Sequence, residues 1–336
     1  MIKSIILSFL FWLHVSQLVA QDVHLSQFFA SDHLLNPANV GDHSGDFRAC
    51  LNYRSQWKSI ENAPLTTFIG SFDKKFHYYT HEYNVGVMIV SDQFSTFQTN
   101  TTKAIFTGSY VYPFKKHLFR GGIQMGVISN STNLNKQTFP EQWDYPNGEF
   151  NSSLPSKEVA LRSSQLYLDV NVGGSWKYKF NKFEIKSGIA INHINRPKST
   201  YFSSQVERLR ARKVINTEVN YPLNPVFTLC PQFMWMWTTK ANDLVFGSRL
   251  KYKTNVKLIP ELSSGIFYRH GVVRNVDAFI VVVGLKYKKI DFGMSYDLNI
   301  SSLHTNIKRP SAFEFSLIYT GASSQVKYKI IPCSRY

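Results

Sequence analysis

From Ile290 to Asn299 apolar and polar residues alternate without a break. Ile290, Phe292, Met294, Tyr296 and Leu298 share one parity, and Asp291, Gly293, Ser295, Asp297 and Asn299 the other. A period of two is the signature of a β-strand with two unlike faces. The rhythm recurs at Leu166–Gly173, Phe183–Asn192, Leu244–Tyr252 and Phe313–Tyr319. It predicts strands over 46–57, 64–76, 82–92, 98–113, 119–130, 163–179, 182–193, 211–220, 225–237, 242–254, 258–269, 275–287, 289–298 and 311–320, about 14 in all. Alternation alone suits a soluble sandwich as well as a membrane barrel.

The connections separate the two. If the first strand runs outward, the inner links are His77–His81, Phe114–Leu118, Phe180-Asn181, Tyr221–Asn224, Thr254–Lys257 and the Lys288 turn, all short. The three longest loops, 131–162, 194–210 and 299–310, fall on the other side. Short turns inside and long loops outside are the asymmetry of outer-membrane barrels, which also have even strand numbers. The predicted fold class is therefore all-β: a transmembrane antiparallel β-barrel of about 14 strands, spanning residues 46–320.

Glycines punctuate the minority face at Gly86, Gly126, Gly173, Gly188, Gly247, Gly265, Gly284 and Gly293. Two explanations stand: sharp barrel curvature, or room for a segment inside the lumen, for which residues 21–45 are the candidate. Beyond a possible leader, no apolar run reaches the roughly 18 residues of a membrane helix. Aromatics make up 15%, with 26 Phe and 18 Tyr, which suits a lipid-facing belt.

Lys3, the apolar run Ile5–Leu13 and the small Ala20 predict a signal peptide over 1–20, cleaved before Gln21, and hence outer-membrane localisation. The formal charge of +16 is spread over strands and turns rather than gathered on a helix. That favours anionic lipid or an acidic protein as partner and argues against nucleic acid. Cys50, Cys230 and Cys333 are scattered, which argues against a disulfide framework and a zinc site. No cofactor motif is present, and no catalytic constellation is apparent. An outer-membrane lipid hydrolase would have to use His193 or His304.

The chain carries Gln21-Asp22-Val23-His24-Leu25-Ser26-Gln27-Phe28-Phe29, Leu35-Asn36-Pro37-Ala38, Asn52-Tyr53-Arg54-Ser55-Gln56-Trp57 and Ala63-Pro64-Leu65-Thr66-Thr67. Later come His193-Ile194-Asn195-Arg196-Pro197, Val283-Gly284-Leu285-Lys286-Tyr287, Gly293–Asn299, Ala312-Phe313-Glu314-Phe315 and the closing Pro332-Cys333-Ser334-Arg335-Tyr336. In this order they resemble the PorP/SprF outer-membrane proteins of the type IX secretion system. The family tail usually reads Cys-Pro-Arg-Phe, from which this ending departs. The resemblance implies a non-enzymatic barrel for secretion, gliding motility or adhesin attachment. Its partners would be periplasmic ring and motor components or one large secreted adhesin. A porin-like or small-solute channel is the alternative.

Several residues are candidate contacts to a plug or a partner. Asn36-Pro37 reads as a turn that redirects the chain before the first strand. Trp57 and Tyr53 share parity as interfacial anchors, while Arg54 and Gln56 point inward and could hold the N-terminal segment. Trp143 lies with Phe139, Tyr145 and Phe150 on a loop that must fold into the lumen or meet a partner. Arg196 and Pro197 open a basic loop continuing to Arg208 and Arg210, which is solvated, faces lipopolysaccharide or binds an adhesin. Asp291 and Asp297 are on the inward face. Cys333 and Arg335 belong to the tail 321–336, which either docks a partner or extends the last strand as an assembly signal.

Overall fold

The computed structural model describes residues 23–58, 64–79, 81–94, 99–133, 140–151, 153–155, 164–199, 208–239, 241–271, 275–300 and 311–322. The proposed leader, His304, and the tail bearing Cys333 and Arg335 lie outside them. The barrel strands are β1 (Phe47–Gln56), β2 (Leu65–Tyr78), β3 (His81–Phe94), β4 (Thr99–Phe114), β5 (His117–Thr132), β6 (Ser164–Lys179) and β7 (Glu184–Asn192). They continue with β8 (Arg212–Pro222), β9 (Phe227–Trp237), β10 (Asn242–Lys253), β11 (Glu261–Gly271), β12 (Asn275–Tyr287), β13 (Ile290–Asn299) and β14 (Ser311–Gly321).

Each strand pairs antiparallel with its chain neighbour, and β1 also pairs with β14, from Phe47 opposite Gly321 to Gln56 opposite Ala312. The sheet thus closes as a barrel of 14 strands, as the alternation predicts. Strand ends differ from expectation by a few residues. β11 starts at Glu261 instead of 258, because Thr254 N–H donates to Pro260 O (3.0 Å) and closes the preceding turn. A bulge at Arg269/His270 then shifts the β11–β12 register.

The turns at one end, 79–80, 115–116, 180–183, 223–226, 254–260 and 288–289, have two to seven residues, and the three longest connections, 133–163, 193–211 and 300–310, all lie at the other. Three of these turns are so tight that a non-glycine residue takes positive φ: Tyr79 (53°), Lys115 (55°) and Lys288 (54°). By the loop asymmetry of outer-membrane barrels this is the periplasmic end.

The wall sorts its residues by solvent. Phe106, Met125, Leu168 and Ile266 are 57–67% exposed on the outer surface, which makes sense only against lipid. Their strand neighbours Ile105, Gln124, Asp169 and Phe267 are buried inward. Near the periplasmic turns the outer face becomes aromatic, as at Tyr83–Tyr110 (5.2 Å) and Phe227–Tyr252 (5.1 Å). Lys74, Lys115 and Lys288 lie over Phe76, Phe114 and Tyr287. Rings in the interface with ammonium groups reaching past them to water are an interfacial girdle.

Candidate functional site: the occupied lumen

Residues 23–46 run inside the barrel and are mostly buried. Val23 and Leu25 pack on the inward residues Ile69, Met88, Val90 and Ile105 of β2–β4. Phe28 and Leu35 pack on the opposite wall against Val214, Met234, Val245, Phe267 and Ile280. The Phe28 and Phe29 rings meet Phe267 at 5.8 and 5.9 Å, and the Arg249 guanidinium covers Phe29 at 3.7 Å. Burying one such phenyl stabilises by about 2–3 kcal/mol. Apolar inward residues have no place against a water-filled channel, so this apolar lining is matched to its occupant.

Two ionic clusters hold the segment. Toward the outer end, Glu314 of β14 accepts the backbone N–H groups of Ser26 (2.6 Å) and Gln27 (2.8 Å). Arg54 of β1 bridges Glu314, Asp297 (3.2 Å) and the Ser26 hydroxyl (2.8 Å). Arg269 adds a second guanidinium on Asp297 at 2.9 Å, and Ser26 Oγ donates to Asp297 at 2.7 Å. All these charges are buried, so each depends on its partners. The cluster spans the seam where β1 meets β14.

Toward the periplasmic end the segment contributes charges of its own, with Asp42 and Asp32 facing bases on the wall. Asp42 meets Lys186 (2.8 Å), Arg120 (3.0 Å) and Lys177 (3.2 Å). Asp32 lies 3.5 Å from Arg48 and 3.6 Å from Lys186. Burial alone would raise the Asp42 carboxyl, but Lys186, Arg120 and Lys177 more than reverse this and hold it well below the usual carboxylate range. Asp73 of β2 accepts from Gly41 N–H (2.7 Å) and Arg48 Nε (3.0 Å), with His33 and His43 each at 3.2 Å.

Between the clusters a short helix, α1 (Asp32–Leu35), leads into a 3-10 turn, Pro37–Asn39. Asn36 caps that turn by accepting from Ala38 N–H (2.9 Å), and its Nδ2 donates to the backbone carbonyls of Gly174 (3.0 Å) and Ile189 (3.1 Å). Asn36-Pro37 therefore redirects the chain, but as a wedge seated in the wall rather than a turn outside it. The seat has no room for side chains. A Cβ on Gly122 would lie 2.5 Å from the Pro37 carbonyl carbon, one on Gly188 2.8 Å from Asn36 Nδ2, and one on Gly173 would overlap Asn36 Oδ1. Of the eight minority-face glycines, Gly86, Gly173, Gly188 and Gly293 receive the segment. Gly126, Gly247, Gly265 and Gly284 receive a neighbouring wall residue instead.

The remaining candidates are dispersed. Gln56 accepts from Arg54 Nη2 at 3.2 Å. Trp57 sits at the outer rim with φ 65° and its ring 6.1 Å from Phe94. Asp291 pairs with Lys286 (3.2 Å), away from the plug. The 131–162 loop contributes a small ladder in which Trp143 meets Phe150 at 4.9 Å, while Tyr145 is 84% exposed. Trp143 and Phe150 thus pack on each other rather than on the plug. Pro197 is buried and Arg196, Arg208 and Arg210 are exposed at the outer rim. Buried His193 lies 2.7 Å from Asp169 and tethers the start of that loop. Residues the sequence reading missed include Ser26, Arg48, Asp73, Arg120, Lys186 and Arg269. For all but Ser26 the available signal was a charged side chain on the inward parity of a strand.

A plugged, closed barrel whose seam is pinned by Arg54 and Glu314 uses the sequence blocks that carry the resemblance described above. Residues 18–319, nearly the whole chain, match the family described as Type IX secretion system membrane protein PorP/SprF. The chain belongs to the PorP/SprF family. No curated protein matches it in sequence. Similar solved structures include a TodX deltaS2S3 mutant monoaromatic hydrocarbon channel, at 10% identity over 84% of this chain and 91% of that one, with a TM-score of 0.53. A CymD monoaromatic hydrocarbon channel is also similar, at 10% identity over 88% and 93%, with a TM-score of 0.51. At such identity the likeness concerns the fold. This PorP/SprF protein is thus an outer-membrane β-barrel of a type IX secretion family.

Proposed function

We propose that this PorP/SprF barrel is a non-enzymatic protein-binding component of type IX secretion. It would engage the secretion and gliding machinery, or a cognate secreted adhesin for export and surface attachment, after removal of its signal peptide. The observation that carries this reading is the apolar lumen packed by Val23, Leu25, Phe28 and Leu35, which leaves the rims rather than a pore as working surfaces. The periplasmic rim supports it. The turns named above contain Lys115, Lys116, Lys182, Lys257, Lys288 and Lys289 and no aspartate or glutamate. Turns carrying only positive charges steer an acidic periplasmic partner.

The test is affinity purification of the tagged protein from its native envelope, with identification of what accompanies it. Ring or motor components would support the machinery role, and one large adhesin the export role. Recovery of neither, together with steady conductance of the purified protein in planar bilayers, would replace this reading with a solute channel.

A further inference from the structure

A recess of about 600 Å³ opens at the outer rim between the loop after β7 and the end of β9. Arg196, Arg208, Arg210, Lys213 and Trp237 line it. Among the described residues no carboxylate lies in ion-pairing distance of any of these four cations. Among the described residues, the one hydrogen bond that their charged groups make is internal, Arg208 Nη1 to the Arg196 carbonyl (3.3 Å). Gathering like charges is unfavourable, and a bound anion lowers that cost.

The frame that carries these side chains is preorganised. His193 is tied to Asp169, and Ile194 N–H donates to Val170 O at 2.9 Å. Asn195 Nδ2 donates to Leu168 O at 2.7 Å, and Arg196 takes φ 43° with its N–H on His193 O. The two limbs of the loop are then joined by Leu209 N–H to Pro197 O at 2.9 Å.

Its depth in the membrane is marked independently. Lys213 pairs in register with Ile191, an outward residue 40% exposed, and with Trp237. Its ammonium lies 6.0 Å from the Trp237 ring, and Trp237 stacks on Trp235 at 4.4 Å. Tryptophans on the outward parity at strand ends sit at headgroup level. The recess therefore faces the outer-leaflet headgroups, not the lumen.

We propose that this recess binds the phosphate groups of an outer-leaflet glycolipid. Guanidinium forks match phosphate oxygens two at a time, and Lys213 supplies a point charge at the lipid side. The choice of a lipid over an acidic polypeptide follows from the recess's outward parity and its tryptophan neighbours. The proposal is independent of which protein partner the rims engage.

The test uses the full-length protein in detergent, titrated with bisphosphorylated lipid A and followed by native mass spectrometry. Dephosphorylated lipid A, a ten-residue glutamate peptide and inorganic phosphate are titrated alongside. Bisphosphorylated lipid A should bind at least tenfold more tightly than each of the others. The double variant Arg208→Gln/Arg210→Gln should lose at least tenfold, and Arg208→Lys/Arg210→Lys should recover part of it. Heat-modifiable electrophoretic migration checks that the variants are folded barrels. Equal binding of the dephosphorylated lipid, undiminished binding by the folded glutamine variant, or tighter binding of the peptide or inorganic phosphate would each overturn the assignment.

Discussion

Gly173 and Gly174 are adjacent on β6 and face opposite ways, so the same substitution at each separates plug docking from barrel stability. A valine at Gly173 would drive its Cβ into the Asn36 carboxamide, whereas at Gly174 the nearest atom to a new Cβ is Arg120 O at an ordinary 3.7 Å. Lifting Asn36 off the wall breaks its bonds to the Gly174 and Ile189 carbonyls. Each buried group left unpaired costs roughly 1–3 kcal/mol, so docking should weaken by about 2–5 kcal/mol. At about 1.4 kcal/mol per tenfold, the open population rises between about thirtyfold and a few thousandfold. Hydrogen exchange reads this directly, since the amides of Ser26, Gln27 and Gly41 are bonded to Glu314 and Asp73 only while the segment is docked. Gly173→Val should speed their exchange by that factor while leaving the wall amides of β2–β4 protected. Gly174→Val should change neither. Equal exchange of the plug amides in the two variants would refute the glycine seat.

Three further outcomes are expected. Arg54→Ala leaves Glu314 without its guanidinium and should lower barrel stability by about 3–5 kcal/mol in a urea titration. Adding Glu314→Gln should recover part of that loss, and a double variant no better than the single would argue against the pairing. The depressed Asp42 carboxyl is charged in the docked state at neutral pH, so the unfolded state takes up a proton first as pH falls. Its contribution should be full above about pH 4–5 and decline below the ordinary aspartate value near about 4. Proteolysis of residues 23–46 should accordingly accelerate in acid, and less steeply in Asp42→Asn. Lys115→Asn at the tight β4–β5 turn should raise the unfolding free energy from a urea titration slightly, by about 0.5–1 kcal/mol, because asparagine tolerates positive φ.

The wall was legible because lipid and lumen impose a period of two on every strand, and the turns sort by length between the two ends. The run Ala278–Leu285 shows where that reading stops. It is apolar on both parities, and only the structure shows that Phe279, Val281 and Val283 face lipid while Ile280 and Val282 face the plug. A polar inner face was the natural expectation, and it fails where Phe28 replaces water. The inward orientation of Arg54 and Asp297 could be read from strand parity. Their convergence on Ser26 could not, since residues 23–45 have no period and bond across 288 positions of chain. The minority-face glycines were ambiguous for the same reason. Nothing local distinguishes Gly173, which receives Asn36, from Gly247, which receives Phe267 of the next strand.

The outer cluster also orders events in time. Ser26 and Gln27 are synthesised early and Glu314 near the end, yet their bonds exist only when β14 has come round to β1. An incomplete barrel offers Asp297 and Arg54 but no acceptor for those two amides. The segment therefore reports completion: the Ser26 and Gln27 amides find their acceptor only in a wall that has closed, and a barrel stalled one strand short leaves that end of its N-terminal segment more loosely held and easier for proteases to find.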